Sequence, residues 1–202
     1  MGLTDLTLQA IAFRVLALLI IVGVHGGIVA GTAVLLGDKG PKYDRRMTLL
    51  PGRHIDIVGA FSLVLYGFGW GRPVAIDAGE FRIGRIGIVA VILAGFVGLL
   101  GLAAVLDALV RPALTTLPYS AALTTAAFLR VASSLSIWFA LLSLIPVPPL
   151  TGGLLLTAAG IRIPRQLQWI PSVVLLVAVA TGAVRQLLGP AYAQLASVIL
   201  GR

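Results

Sequence analysis

Long apolar stretches, separated by short polar ones, dominate this chain. A helix needs about 20 mostly apolar residues to cross the roughly 30 Å hydrocarbon core of a bilayer. Four stretches approach or exceed that length and predict membrane-spanning helices over residues 7–36, 86–110, 121–147 and 168–184. The predicted fold class is an all-α integral membrane protein, a polytopic helical bundle of about four full spans.

Three other apolar stretches are too short to cross a bilayer, at residues 57–70, 152–161 and 189–200. Their length predicts half-inserted or interfacial segments beside the full spans. Residues 72–77 are predicted to be extended, because Pro73 and the β-branched residues after it disfavour a helix. The chain shows no internal repeat and no low-complexity linker, so residues 1–202 are predicted to form a single membrane domain.

Composition agrees with a chain dissolved in lipid. Hydrophobic residues make up 59% and charged residues 11%, against about 45–50% and about 25% in ordinary soluble domains. The first apolar run is too long for the core of a cleavable signal peptide. The net charge is +8, but the cations lie at the ends of apolar stretches with few aromatic residues among them. We therefore expect contact with membrane lipids and no nucleic-acid partner.

The basic residues also predict an orientation. The loops at residues 37–56 and 71–85 hold eight of them: Lys39, Lys42, Arg45, Arg46, Arg53, Arg72, Arg82 and Arg85. Both loops fall on one side if the segment at 57–70 does not cross. Since Lys and Arg accumulate in cytoplasmic loops, these two loops are predicted to be cytoplasmic.

Three segments carry recognisable motifs. His25 near the end of the first span is followed by Gly37-Asp38 and then by R-M-T-L-L-P-G-R-H-I-D-I-V-G at residues 46–59. The second segment is F-G-W-G-R-P-V at residues 68–74. The third is L-I-P-V-P-P-L-T-G-G at residues 144–153.

In order and spacing these segments resemble the site-2 proteases, intramembrane zinc metalloproteases, over roughly residues 10–165. That family carries an H-E-x-x-H helix, which supplies two zinc ligands and a catalytic glutamate, and an aspartate in the third segment that supplies the third ligand. The resemblance maps these four positions onto His25, Gly26, Val29 and Thr151. It also implies a multi-pass protein of a bacterial-type inner membrane.

Only one of the three ligand positions keeps a zinc-binding residue. Valine has no lone pair, glycine has no side chain, and threonine is a poor zinc ligand. We therefore expect no catalytic residues, no bound cofactor and no zinc. The chain is predicted to be a pseudoprotease, acting as a membrane scaffold or as an accessory subunit of a larger membrane complex that binds other transmembrane proteins. The alternative is an intramembrane metalloprotease with a non-standard metal site, built from His25, His54 and Asp56.

Several other residues are candidates for structural or interaction roles. Charges inside spans are costly and suggest function. Arg14 is expected to reach the outer surface with its flexible side chain. Arg130 is expected deeper in its span, either paired within the protein or bound to a lipid or partner. Glycines, including Gly27 and Gly98, line helix faces that permit close approach. These faces predict either internal packing or docking of a partner helix.

Overall fold

The computed structural model describes residues 6–161, 164, 167 and 169–201. Within these ranges the chain is helical and forms no strand, so the predicted fold class is confirmed. The described residues form nine α-helices: α1 Leu8–Leu36, α2 Gly40–Tyr43, α3 Ile57–Tyr66, α4 Ile86–Ala108, α5 Val110–Thr116, α6 Tyr119–Ser143, α7 Leu154–Ala158, α8 Ile170–Ala180 and α9 Ala183–Leu200.

Three of the described helical stretches are long and apolar enough to cross a membrane: Leu8–Leu36, Ile86–Thr116 and Tyr119–Ser143. They pack around a core to which each contributes fully buried side chains, such as Ile21, Leu99 and Leu135. Large apolar side chains such as Val97 and Leu93 instead lie exposed on the outside of the bundle. Such an apolar exterior is rare in soluble proteins and suits a bundle surrounded by lipid.

The fourth predicted span is bent. Helix α8 ends at Ala180, Gly182 adopts the left-handed backbone conformation (φ 81°), and α9 leaves at 72° to α8. Eleven residues rise only about 16 Å, which is too short for a crossing. The predicted span at 168–184 and separate tail at 189–200 are therefore corrected to one bent pair of helices, α8 and α9. The described helices give three spans, or four if this pair counts as one span.

Residues 47–77 form a segment that turns back along α1. After α1 ends, the chain returns to Gly23 and Gly27, where Leu49 and Thr48 pack against the helix. By residue 77 it is back at the end of α1, since the Asp77 N–H donates to Asp38 Oδ2 (2.9 Å). Gly27 lies nine residues before Leu36, about 14 Å along the helix. The segment thus lies beside α1, and the half-inserted position predicted for residues 57–70 stays a prediction.

Candidate functional site

A small cavity of about 40 Å³ lies where α1, residues 47–77 and the turn after α6 meet. Its lining includes all four positions to which the resemblance maps the catalytic set: His25, Gly26, Val29 and Thr151. These positions are separated by up to 126 residues in the chain. The fold therefore brings the mapped positions together as expected.

His25 is held inside the bundle. Its side chain is 7% exposed, and its ring meets Phe139 of α6 edge-on at a centroid distance of 5.3 Å. Its Nε2 atom is 3.4 Å from the hydroxyl oxygen of Thr151, the length of a weak hydrogen bond. Thr151 is the first residue of a short 3-10 turn, and Leu150 separates it from the Pro148-Pro149 pair. The side chain at the mapped third ligand position, Thr151, thus presents a hydroxyl to His25 rather than a carboxylate.

His54 occupies the space next to Gly26. Its ring is 1% exposed, and Nε2 lies 2.8 Å from the carbonyl oxygen of Thr48, so this nitrogen carries the proton. The other nitrogen, Nδ1, is buried without a hydrogen-bond partner. A Cβ atom built on Gly26 would overlap the His54 imidazole. Burial lowers the pKa of His54 below its usual range, while the bond to Thr48 raises it and Arg46 lowers it.

Asp56 does not join the two histidines. It is the N-cap of α3, where its Oδ1 accepts a hydrogen bond from the Gly59 N–H at 2.8 Å. The side chain therefore satisfies an otherwise unpaired amide at the start of a helix. The alternative metal site of His25, His54 and Asp56 is therefore not assembled among the described residues.

The donor set in this part of the fold does not fit a catalytic zinc ion. Such an ion usually takes three protein ligands, drawn from His, Cys, Asp and Glu. Among the described residues, no group of three or more of these side chains is placed to hold a metal. Val29 contributes a buried aliphatic surface to the cavity, and Gly26 offers no room for a carboxylate while His54 keeps its position.

Arg46 is a site residue that sequence reasoning missed. It is 8% exposed, and its guanidinium donates to the carbonyls of Arg53, Arg72 (2.6 Å) and Pro73 (3.2 Å). It therefore connects two stretches of residues 47–77, around residues 53–55 and 71–73, which we call the two legs of this segment. The legs also meet in an isolated antiparallel bridge between Ile55 and Gly71. Nothing in the sequence distinguishes Arg46 from the exposed Arg45 beside it, except its place at the start of the motif at residues 46–59.

The prediction for Arg14 is wrong. Arg14 is only 2% exposed and does not reach the outer surface. Its guanidinium donates to the carbonyls of Val64 (2.7 Å) and Leu65 (3.0 Å), near the end of α3. Because the last carbonyls of a helix lack partners within it, Arg14 stabilises the end of α3.

Arg130 lies on the outer surface of the helical bundle. Its side chain is exposed. Ser133, three residues later, donates to the carbonyl of Ala103 at 2.8 Å, which fixes the register between α6 and α4. Arg130 lies about 4.5 Å from Ser133 along α6, in the direction of the C-terminal end of α4, and is therefore level with the residues around Asp107. The expectation of a deep position stays a prediction, since Arg130 is the twelfth of the 25 residues of α6 and Asp107 lies inside the apolar stretch Ile86–Thr116.

The glycines serve internal contacts. A Cβ on Gly27 would meet Leu49 Cδ2 at 2.8 Å and the Thr48 carbonyl at 3.0 Å, and one on Gly98 would overlap Ile28 of α1. Both glycines therefore let parts of this chain approach each other closely. At Gly27 and Gly98 the structure shows internal packing, one of the two alternatives that the sequence left open.

Comparison with known proteins identifies a bacterial relative. No family model and no solved structure matches this chain. The chain is 31% identical over 148 residues to a Bacillus subtilis (strain 168) protein named "Putative zinc metalloprotease YwhC". The match covers 72% of this chain and 68% of that relative's length. The cavity unites the positions that correspond to a metalloprotease centre, and the similarity extends over most of both proteins. The chain therefore belongs to the site-2 protease-like family of this metalloprotease relative.

Proposed function

We propose that this chain is a catalytically inactive member of its family, a pseudoprotease retained as a membrane scaffold or accessory subunit that binds other transmembrane proteins. The observation that carries the proposal is the contact between His54 and Gly26. A buried imidazole fills the volume in which a catalytic glutamate would begin.

Two further features support the proposal. Val29, at the second ligand position, is 2% exposed and offers no donor atom. Thr151, at the third, presents a hydroxyl to His25. Hydrolysis by the family mechanism needs a metal to activate water and a base to accept its proton. The side chains at these positions provide neither.

The shape around the cavity is nevertheless strongly specified. Arg46 makes hydrogen bonds to both legs of residues 47–77, and Gly23 and Gly27 allow that segment to lie directly on α1. A fold preserved around an altered centre is suited to binding rather than to chemistry. In this proposal the protein lies in a bacterial-type inner membrane with the loops at 37–56 and 71–85 in the cytoplasm. Its partners are lipids and transmembrane proteins, not nucleic acid.

Site-specific photo-crosslinking in native membranes tests the scaffold role. A photoreactive residue at Val97, which is 62% exposed, is expected to crosslink to one defined membrane protein. The matched control at Val91, which is 0% exposed on the same helix, should give no intermolecular product. Crosslinks to lipid alone from Val97 and from other exposed positions around the bundle, such as Leu93 and Val174, would contradict a scaffold role.

An activity assay separates the scaffold from the alternative of a metalloprotease with a non-standard site. The purified chain is reconstituted in liposomes with zinc and a panel of transmembrane substrates. We expect no cleavage by the wild type or by His25→Ala. Cleavage that disappears in His25→Ala would establish an enzyme.

A further inference from the structure

Three arginines meet where the two legs of residues 47–77 come together. Arg46 donates to the backbone carbonyls of both Arg53 and Arg72. The Arg72 N–H in turn donates to the carbonyl of His54 at 2.7 Å. These bonds hold the backbones of Arg53 and Arg72 close to the Arg46 guanidinium, beside the isolated bridge between Ile55 and Gly71. We call Arg46, Arg53 and Arg72 the arginine cluster.

The arginine cluster carries excess positive charge. Arg46 is 8% exposed, and its Nε atom is buried without a hydrogen-bond partner. Burial lowers the pKa of Arg46, the neighbouring Arg72 lowers it further, and Asp44 raises it. Arg53 and Arg72 are exposed. Like charges brought together in this way repel each other, and a bound anion relieves that repulsion.

The surface beside the cluster is apolar. Met47, Leu49 and Leu50 lie between Arg46 and Arg53 in the chain, and they are 55%, 66% and 67% exposed. They sit on a backbone pinned to α1, because the Leu49 carbonyl covers Gly23. Cations next to exposed aliphatic side chains match the boundary between the headgroups and the acyl chains of a membrane. A small soluble anion would gain nothing from this apolar surface.

We propose that the exposed Arg53 and Arg72 of this cluster bind the phosphate of an anionic phospholipid, whose acyl chain lies against Leu49 and Leu50. Arg46 adds positive charge beneath them, since its terminal nitrogens already donate to backbone carbonyls. Guanidinium groups suit this role because their planar array of donors matches phosphate oxygens. The lipid then acts as a bridge between the two legs of residues 47–77 and holds them on α1. This site does not depend on whether the chain is a protease or a scaffold.

Thermal unfolding of the purified full chain in neutral detergent micelles tests the proposal. Phosphatidylglycerol is added to one sample, phosphatidylcholine with the same acyl chains to a second, and inorganic phosphate to a third. We expect phosphatidylglycerol alone to raise the melting temperature. Arg72→Gln should need about tenfold more phosphatidylglycerol for the same rise, since a charged hydrogen bond is lost. Arg111→Gln, which removes an exposed cation outside the cluster, should respond like the wild type.

Each contrary outcome overturns the proposal. Equal stabilisation by phosphatidylcholine would show that charge does not matter. An equal rise with inorganic phosphate would show a soluble-anion site instead of a lipid site. A wild-type response from Arg72→Gln would remove the cluster from the site. If Arg72→Gln unfolds before lipid is added, Arg53→Gln serves in its place and is judged by the same comparison.

Discussion

The imidazole of His54 packs directly against the backbone of Gly26, in the volume that a side chain at position 26 would enter. This contact joins α1 to residues 47–77. It also fills the position to which the resemblance maps the catalytic glutamate. It makes the absence of a side chain at position 26 a requirement of the fold.

Replacement of Gly26 by alanine should therefore be destabilising. The new Cβ overlaps the His54 ring, so the segment must shift, and overpacking of this kind costs about 1–3 kcal/mol. The control is Gly31→Ala on the same helix, where nothing lies within 4 Å of the new Cβ. There, alanine should be neutral or stabilising by up to about 1 kcal/mol. Equal unfolding free energies for the two variants in detergent would argue against the close contact.

The stability of the protein should fall in mild acid partly because of His54. Burial lowers its pKa in the folded state, so the unfolded state binds more protons as the pH drops below about 6.5. The neutral His54 ring makes its full contribution to the free energy of unfolding at pH 8, and this contribution declines as the pH falls below about 6.5. His54→Gln should reduce the loss in melting temperature between pH 8 and pH 5. An identical loss in both proteins would assign the acid sensitivity to other groups.

The two arginines within predicted spans should differ sharply on substitution. Arg14→Gln removes the charged donor of the half-buried carbonyls of Val64 and Leu65, which costs about 1–3 kcal/mol. Arg130→Gln changes an exposed side chain and should stay within about 0.5 kcal/mol of the wild type. Chemical unfolding in detergent compares the two directly. A larger loss of unfolding free energy in Arg130→Gln than in Arg14→Gln would contradict this account of their environments.

The orientation of the loops is testable because the chain contains no cysteine. Single cysteines at Lys42 and Thr116, both exposed, are treated with an impermeant thiol reagent on intact cells. The positive-inside rule predicts labelling at position 116 and protection at position 42 until the membrane is opened. Labelling at position 42 in intact cells would invert the topology.

Much of the fold follows from the sequence because its signals are local. The apolar runs of α1, α4 and α6 are long enough to predict spans without knowledge of their neighbours. The bend between α8 and α9 was not predicted, because the apolar run at 168–184 continues across Gly182. The chain instead turns at Gly182, and Pro190 lies inside α9. Proline is tolerated inside membrane helices when neighbouring groups compensate for its missing hydrogen bond.

The site was harder to predict because its contacts join remote segments. Motif resemblance was enough to expect His25, Val29 and Thr151 at one point. No spacing rule relates His54 to Gly26, so their contact emerged only from the fold. Burial of Arg14 likewise depends on where α3 ends, which its own span does not reveal. Glycine faces predict close packing but do not identify the neighbour.

The zinc content of the purified chain tests the central claim most directly. The protein is prepared in mild detergent without chelator, and its metal content is measured per mole of chain for the wild type and His25→Ala. Inactivity through loss of the metal centre predicts far less than one zinc per chain, with no difference between the two proteins. One zinc per chain in the wild type, lost in His25→Ala, would contradict the account and establish a metal site.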